Sequence, residues 1–367
     1  MKQTLPLLLL FLFNNCNFKK DKFHEPDLDF SDMQEIAIEI ESKDELLLST
    51  IFQDIKCIAL QTSGNNLIRY VDKLISFNDH FYILDVRENS LFIFKEDGSF
   101  ENQIKKVGHG PGEYLQLTDF IIDEEENVIE LYDKSLQKIY KFSLDGSFLQ
   151  EVKVGIYAQA LAKLDNNKYA FYDFYSPLQP YDLLVADENG EVVSKHFYTS
   201  VANDTVSLLT HHFGSKGENL SFLKWPGDTV YQINSKGVFP KYYFKFVENI
   251  ASEIHYFTEN DHFLTFSFPV DRKAFTGFYC KSTKGFVTGH HLINDINGIP
   301  FTKPIAATDS EFISIVSAYG MKSQFSKNYD KIKAQVSDEK FNQLDTFINS
   351  IKNEDNPVLI LSTFKQF

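Results

Sequence analysis

Five short turn signals recur along this chain at nearly constant spacing. They are Asp97-Gly98-Ser99-Phe100, Asp145-Gly146-Ser147-Phe148, Asn189-Gly190-Glu191-Val192, Lys236-Gly237-Val238-Phe239 and Lys284-Gly285-Phe286-Val287. Their glycines step by 48, 44, 47 and 48 residues. Each lies between two apolar runs, the pattern of a hairpin turn joining two strands. A period in the forties made of strands and turns builds a radial β array, so the expected fold is an all-β, six-bladed β-propeller. A propeller hosts many functions, and the repeat alone names no ligand.

The first two blades read cleanly. Strands are expected at 69–77, 81–86, 91–95 and 99–104, then at 117–123, 128–133, 138–143 and 148–152. Blade three runs over about 158–197, blade four over 207–246, where the pattern is least regular, and blade five over 253–292. In the sixth unit the period breaks. Apolar residues at Ile332, Val336, Phe341, Leu344, Ile348 and Ile351 have helical spacing, which predicts a helical insertion over 326–352, split near Ser337-Asp338. Strand character returns at 357–364. That leaves blade six one strand short, and an orphan strand near 55–61 can close it from the other end of the chain. Such closure removes free sheet edges.

The N-terminus reads as an address. Lys2 precedes a short apolar run from Leu5 to Phe13, too short for a stable membrane helix, and Cys16 follows. Residues 1–16 therefore read as a lipoprotein-type signal peptide with Cys16 as the lipidated residue, although Asn14 and Asn15 stand where a small residue is usual. A lipid on Cys16 would anchor the chain to a membrane without a spanning helix. Residues 17–42 are polar and acidic and read as a tether, 43–52 as a short amphipathic helix, and 43–367 as the propeller domain. The chain carries a formal net charge of −15 and only three arginines, Arg69, Arg87 and Arg272. An acidic protein so poor in arginine does not suit nucleic acid. Cys57 and Cys280 lie in apolar runs and give no disulfide framework.

The strongest local motif is Val107-Gly108-His109-Gly110-Pro111-Gly112-Glu113-Tyr114, between blades one and two. Its glycines permit positive φ and Pro111 fixes its own. A phosphate-cradling loop opens a helix, whereas this one opens a strand, so Gly108, Gly110, Pro111, Gly112, Glu113 and Tyr114 read as a structural turn. With Ile58-Ala59-Leu60-Gln61-Thr62, Phe81-Tyr82-Ile83-Leu84-Asp85, Thr229-Val230-Tyr231-Gln232-Ile233, Leu292-Ile293-Asn294-Asp295 and Asp355-Asn356-Pro357-Val358-Leu359, this chain resembles the NHL-type six-bladed propellers. More narrowly it is similar to the six-bladed β-propeller lipoproteins of Bacteroidetes, over about residues 46–365. The resemblance implies an exported, anchored propeller without an established reaction. The glycan-harvesting habit of organisms that carry such proteins implies carbohydrate association as an expectation of context.

Chemistry is sparse. The chain has no GxSxG, HExxH or CxxC pattern. The doublets His211-His212 and His290-His291 are poor chelates, because adjacent strand residues point to opposite faces. Asp72, Thr118, Asp119 and Glu253 are the polar residues expected on the central channel. An aromatic loop with Tyr172, Phe174, Tyr175 and Tyr181, together with Trp225, reads as a stacking platform; Tyr175, Tyr181 and Trp225 are the candidate ligand-binding residues. The expected function is binding of a glycan, a peptide or another envelope partner by a monomer, with no cofactor, no metal and no catalysis. The competing reading is a metal-dependent hydrolase or lactonase of the six-bladed type.

Overall fold

The computed structural model describes residues 28–40, 45–165, 167–174, 178–199, 213–214, 220–224, 227–234, 236–247 and 253–365. Six sheets are arranged as the blades of a propeller. Blade one is Lys73–Phe77, His80–Asp85, Ser90–Lys95 and Phe100–Ile104, and blade two is Leu117–Asp123, Val128–Asp133, Lys138–Ser143 and Phe148–Lys153. Blade three is Ala160–Leu164, Lys168–Tyr172, Tyr181–Asp187 and Val192–Tyr198. Blade five is Tyr256–Glu259, Phe263–Val270, Lys273–Cys280 and Phe286–Gly289. In these four blades the strands pair antiparallel in chain order, with the first strand innermost.

The repeating turn glycine has an interblade cause. Gly98, Gly146 and Gly190 have φ of 84°, 87° and 82°, and each follows a β-bulge in the third strand of its blade. Each also sits against the preceding blade. A Cβ at Gly190 would stand 1.9 Å from the Val154 carbonyl oxygen. The turn thus meets two demands that only glycine satisfies together, a left-handed conformation and close approach to the preceding blade, to its backbone at Gly98 and Gly190 and to the Asn102 side chain at Gly146. In blade five the positive φ falls on Lys284 instead.

Blade four departs from the pattern. Its described strands are Leu220–Leu223, Thr229–Asn234 and Gly237–Phe246, and Phe213 bridges to Phe222 on the inner side. Its outer edge is covered by Gln34–Ile38, which pairs in parallel with Gly237–Phe246. This corrects the reading of 17–42 as a tether throughout: Ile36 and Ile38 are buried in the core between blades four and five, and Glu35 bonds Lys245 at 3.0 Å. The acidic residues around this five-residue strand hide its alternation in the sequence. The expected helix at 43–52 is also absent. Glu45–Leu47 is a strand parallel to His291–Ile293, followed by a 3-10 turn, Leu48–Thr50. Leu46 and Leu48 are buried there, so neighbouring chain overrides local helical spacing.

Blade six joins the two ends of the chain. Ala306–Ala307, Glu311–Val316 and Val358–Phe364 are completed by Phe52–Ala59, paired antiparallel with Val358–Phe364. Between its second and third strands lie three helices: α1, Ala318–Lys327; α2, Tyr329–Gln335; and α3, Asp338–Ser350. α1 was hidden in the sequence by the strand directly before it. Ser317 caps it, its side chain accepting the Gly320 N–H. The helices bury Met321, Phe325, Phe341, Leu344 and Ile348 against Leu46, Ile51 and Phe52 of the N-terminal segment and Phe278 and Phe312 of blades five and six. They are part of the core there. No helix among the described residues is long and apolar enough to cross a membrane.

Candidate functional site

In a blade of alternating strands, the turns joining strands two and three lie on the same face as the links between blades. The helical insertion, the glycine loop and the segment entering blade one therefore share one face. On that face lies an open cleft of about 640 Å³. One wall is the segment Leu67 to Tyr70, one is the turn Arg87-Glu88, and one is the return from α3, Asn353 to Asp355. Two of the three arginines of the chain meet here.

Each wall is held by a buried polar residue. Asp85, fully buried at the end of a strand in blade one, accepts the N–H groups of Arg69 at 2.9 Å and Tyr70 at 3.0 Å through one oxygen, and of Glu88 at 3.0 Å through the other. Asp133 does the same for Leu115, Gln116, Ser135 and Leu136 in blade two. The aspartate closing the second strand therefore clamps an interblade link to the neighbouring turn. Asn356 fixes the third wall. Its Nδ2 donates to the Gln61 and Asn66 carbonyls, both at 3.0 Å, and its Oδ1 accepts the Ile68 N–H at 2.8 Å. Backbone satisfied in this way cannot relax freely.

The cleft's side chains are of mixed kind. Tyr70 and Leu67 are 47% and 46% exposed. The Arg87 guanidinium lies 3.7 Å from the centroid of the Tyr70 ring, a cation–π contact. Arg69 pairs with Glu88 through Nε at 2.8 Å, and Lys105 reaches the other Glu88 oxygen at 3.1 Å. Asp72, beside the cleft, accepts the Val86 N–H at 2.7 Å, and its carboxyl is raised above the usual range chiefly by burial.

The glycine loop stands on the same face. Glu113 accepts the N–H of Gly110 within its own loop at 2.7 Å. The link to blade two comes from Glu151, which accepts the Gly112 N–H at 3.3 Å. Tyr114 is fully buried; its hydroxyl lies within hydrogen-bond distance of the Asn89 and Ile104 carbonyls, which share its single O–H, and accepts the Lys106 N–H. Gly112 has φ +74°, and a Cβ there would stand 2.7 Å from the Phe148 ring. Pro111 and His109 are exposed.

The described members of the expected aromatic platform do not form an exposed surface. Tyr172, Phe174 and Tyr181 are buried. Tyr172 packs edge-on to Phe222 at 4.9 Å, and Tyr181 packs against Tyr198 at 5.3 Å. Tyr181 is therefore a packing residue of blade three. Tyr175, Trp225, His211, His212 and Cys16 lie outside the described residues. His290 and His291 bring their rings to 4.3 Å, because the strand breaks at His290 and the alternation is lost. Of the expected channel residues, Asp119 is buried and bonds Lys73 at 2.8 Å and the Leu161 N–H at 2.8 Å, tying the inner strands of three blades. Cys57 and Cys280 are free thiols, and burial pushes Cys57 up to about 12.

Asp123, Glu126 and Glu130 bring carboxylate oxygens within 4.8 Å of one another, the spacing of a metal site. Two ammonium groups already stand among them. Lys141 bonds Glu126 and Glu130, each at 3.1 Å, and Lys163 bonds Asp123 and lies 3.4 Å from Glu130. Tyr169 donates to Glu130 at 3.0 Å. The same device recurs between blades four and five. Glu259, with a fully buried side chain, takes Lys241 at 2.7 Å, Lys281 at 2.6 Å and the Tyr242 hydroxyl at 3.1 Å. Burial alone would raise the Glu259 carboxyl, but the two lysines hold it below the usual range. These clusters bolt neighbouring blades together by paired buried charge.

The family profile of a domain of unknown function, DUF4934, matches residues 33–363. The chain belongs to that family. The matched range begins at the strand on blade four and so includes residues 33–42 of the segment read as tether. A protein of Bacteroides fragilis classed as exported has a similar solved structure, with a TM-score of 0.72 at 18% identity over 91% of this chain and 99% of that one. A member of the DUF4221 family from Bacteroides vulgatus is similar at a TM-score of 0.49 and 9% identity, over 86% of this chain and 97% of that one. At such identities the likeness is one of fold. No curated protein matches the chain.

Proposed function

We propose that this DUF4934 protein is an exported, membrane-anchored binding propeller that holds a glycan, a peptide or another envelope partner without chemistry, on the face carrying the helical insertion. The observation that carries this reading is the cleft of about 640 Å³ whose three walls are pinned by Asp85 and Asn356. A site held open by buried hydrogen bonds does not have to be ordered when the ligand arrives, and affinity gains accordingly. The exported Bacteroides fragilis neighbour and the N-terminal Cys16 pattern support the location. Calorimetric titration of envelope peptides and glycans, with and without EDTA, tests it. Binding is expected to be indifferent to EDTA and weakened by Arg87→Ala. Binding abolished by EDTA would instead support the metal-dependent hydrolase, and binding untouched by Arg87→Ala would move the site to another surface.

A further inference from the structure

We propose that the cleft is a saccharide subsite and that the sugar ring it takes is uncharged; the inference rests on the reading of this face as the binding face. The argument is one of charge and of hydrogen-bond sense. Arg69 and Arg87 supply donors, while Glu88, Glu354 and Asp355 supply acceptors. The positive charge of Arg69 is spent on Glu88, which also takes Lys105. Arg87 makes no contact ion pair among the described residues, although the Asp72 carboxylate attracts it at longer range, and its N–H edge stays available above the Tyr70 ring. A carboxylate ligand would gain Arg87 but face Glu354 and Asp355. A cation would gain those acids but meet the Arg87 guanidinium, whose charge no contact ion pair offsets. A hydroxyl both donates and accepts, so a polyhydroxylated neutral ring uses both kinds of group without desolvating an unmatched charge. The half-exposed Tyr70 ring and Leu67 add apolar surface of the sort on which the C–H face of a pyranose packs.

The cleft is open and shallow, so the expected ligand is a chain that continues past it rather than a single enclosed sugar. The planar guanidinium matters beyond its charge, because its fork holds two neighbouring hydroxyls in fixed geometry.

The test begins with an array bearing neutral, uronate-containing and amino-sugar glycans, probed with the full propeller. Neutral glycans are expected to bind, and the tightest is then titrated calorimetrically. Tyr70→Ala and Arg87→Ala should each weaken it about tenfold or more, and Arg87→Lys, which keeps the charge but not the fork, should also weaken it. Both side chains are exposed, so melting temperature and circular dichroism should match the parent and separate lost contacts from lost folding. Silence across the neutral glycans overturns the inference. Binding of a uronate glycan or of a peptide with free termini, lost in the same variants, overturns it while leaving the face as the binding face. A neutral glycan held equally by parent and variants overturns both readings of the cleft.

Discussion

Gly112 shows how one residue can carry a blade junction. Its φ of +74° and the Phe148 ring 2.7 Å from a would-be Cβ penalise any side chain twice. Gly112→Val is expected to cost roughly 1–3 kcal/mol from backbone strain, with ring displacement in addition. His109→Ala, at an exposed loop position, should stay within about 0.5 kcal/mol. Thermal denaturation of the two variants checks both numbers. Glu259 sets a pH dependence. Its carboxyl titrates below the ordinary range when folded, held there by Lys241 and Lys281. Its contribution is therefore full above the unfolded carboxylate value of about 4.3 and is lost as pH falls through the folded value. Urea midpoints measured downward from neutral pH should hold and then drop below that point. Glu259→Gln should lose about 3 kcal/mol at neutral pH, since two partly buried lysines then lack their counter-charge. At this scale the sequence was least legible. Arg69, Tyr70 and Arg87 are ordinary polar surface residues until folding brings the return from α3 beside them. The one available signal was that two of three arginines stand 18 residues apart around a single strand pair. The burial of Tyr181 was equally hard to read, because an aromatic run has the same composition whether it faces solvent or a neighbouring sheet.

Among elements, the first strands and the last do the joining. Gln34–Ile38, Glu45–Leu47 and Phe52–Ala59 lie in turn along blade four, the strand following blade five, and blade six. Deleting 17–62 should leave Val358–Phe364 with a free edge, uncover blade four and remove much of the core beneath the helices. A truncated protein with an unchanged melting temperature would contradict this. Asn356→Ala breaks three buried bonds at the return from α3 and is expected to cost roughly 2–3 kcal/mol, read from chemical denaturation. The closing strand was legible because the turn glycines left blade six one strand short while an alternating run stood unused near residue 55. The strand on blade four was not, since five residues flanked by acids leave no periodicity to read. α2 and α3 were legible from their apolar spacing, while α1 continues directly from a strand whose apolar run masks its start.

For the whole molecule, the six-bladed plan was the most legible feature, because its period comes from a turn repeated in blade after blade, and in three of them from the same contact with the preceding blade. Attachment to a membrane is tested at this scale. Cys16→Ser is expected to release the protein from the membrane fraction into the soluble one, and a variant that still partitions with membranes would require another anchor.

Closure by the two chain ends has a consequence for how the molecule is made. Phe52–Ala59 is synthesised long before its partner Val358–Phe364, with five blades between them. Until the final strand emerges, the early one has an open edge and an apolar face with nothing to cover them. A chain cut short anywhere before that strand cannot close its ring, however well its earlier blades have formed. The seam therefore acts as a check on completeness: only full-length chains hide both edges, and every fragment displays the exposed strand by which proteases and holding chaperones recognise unfinished protein.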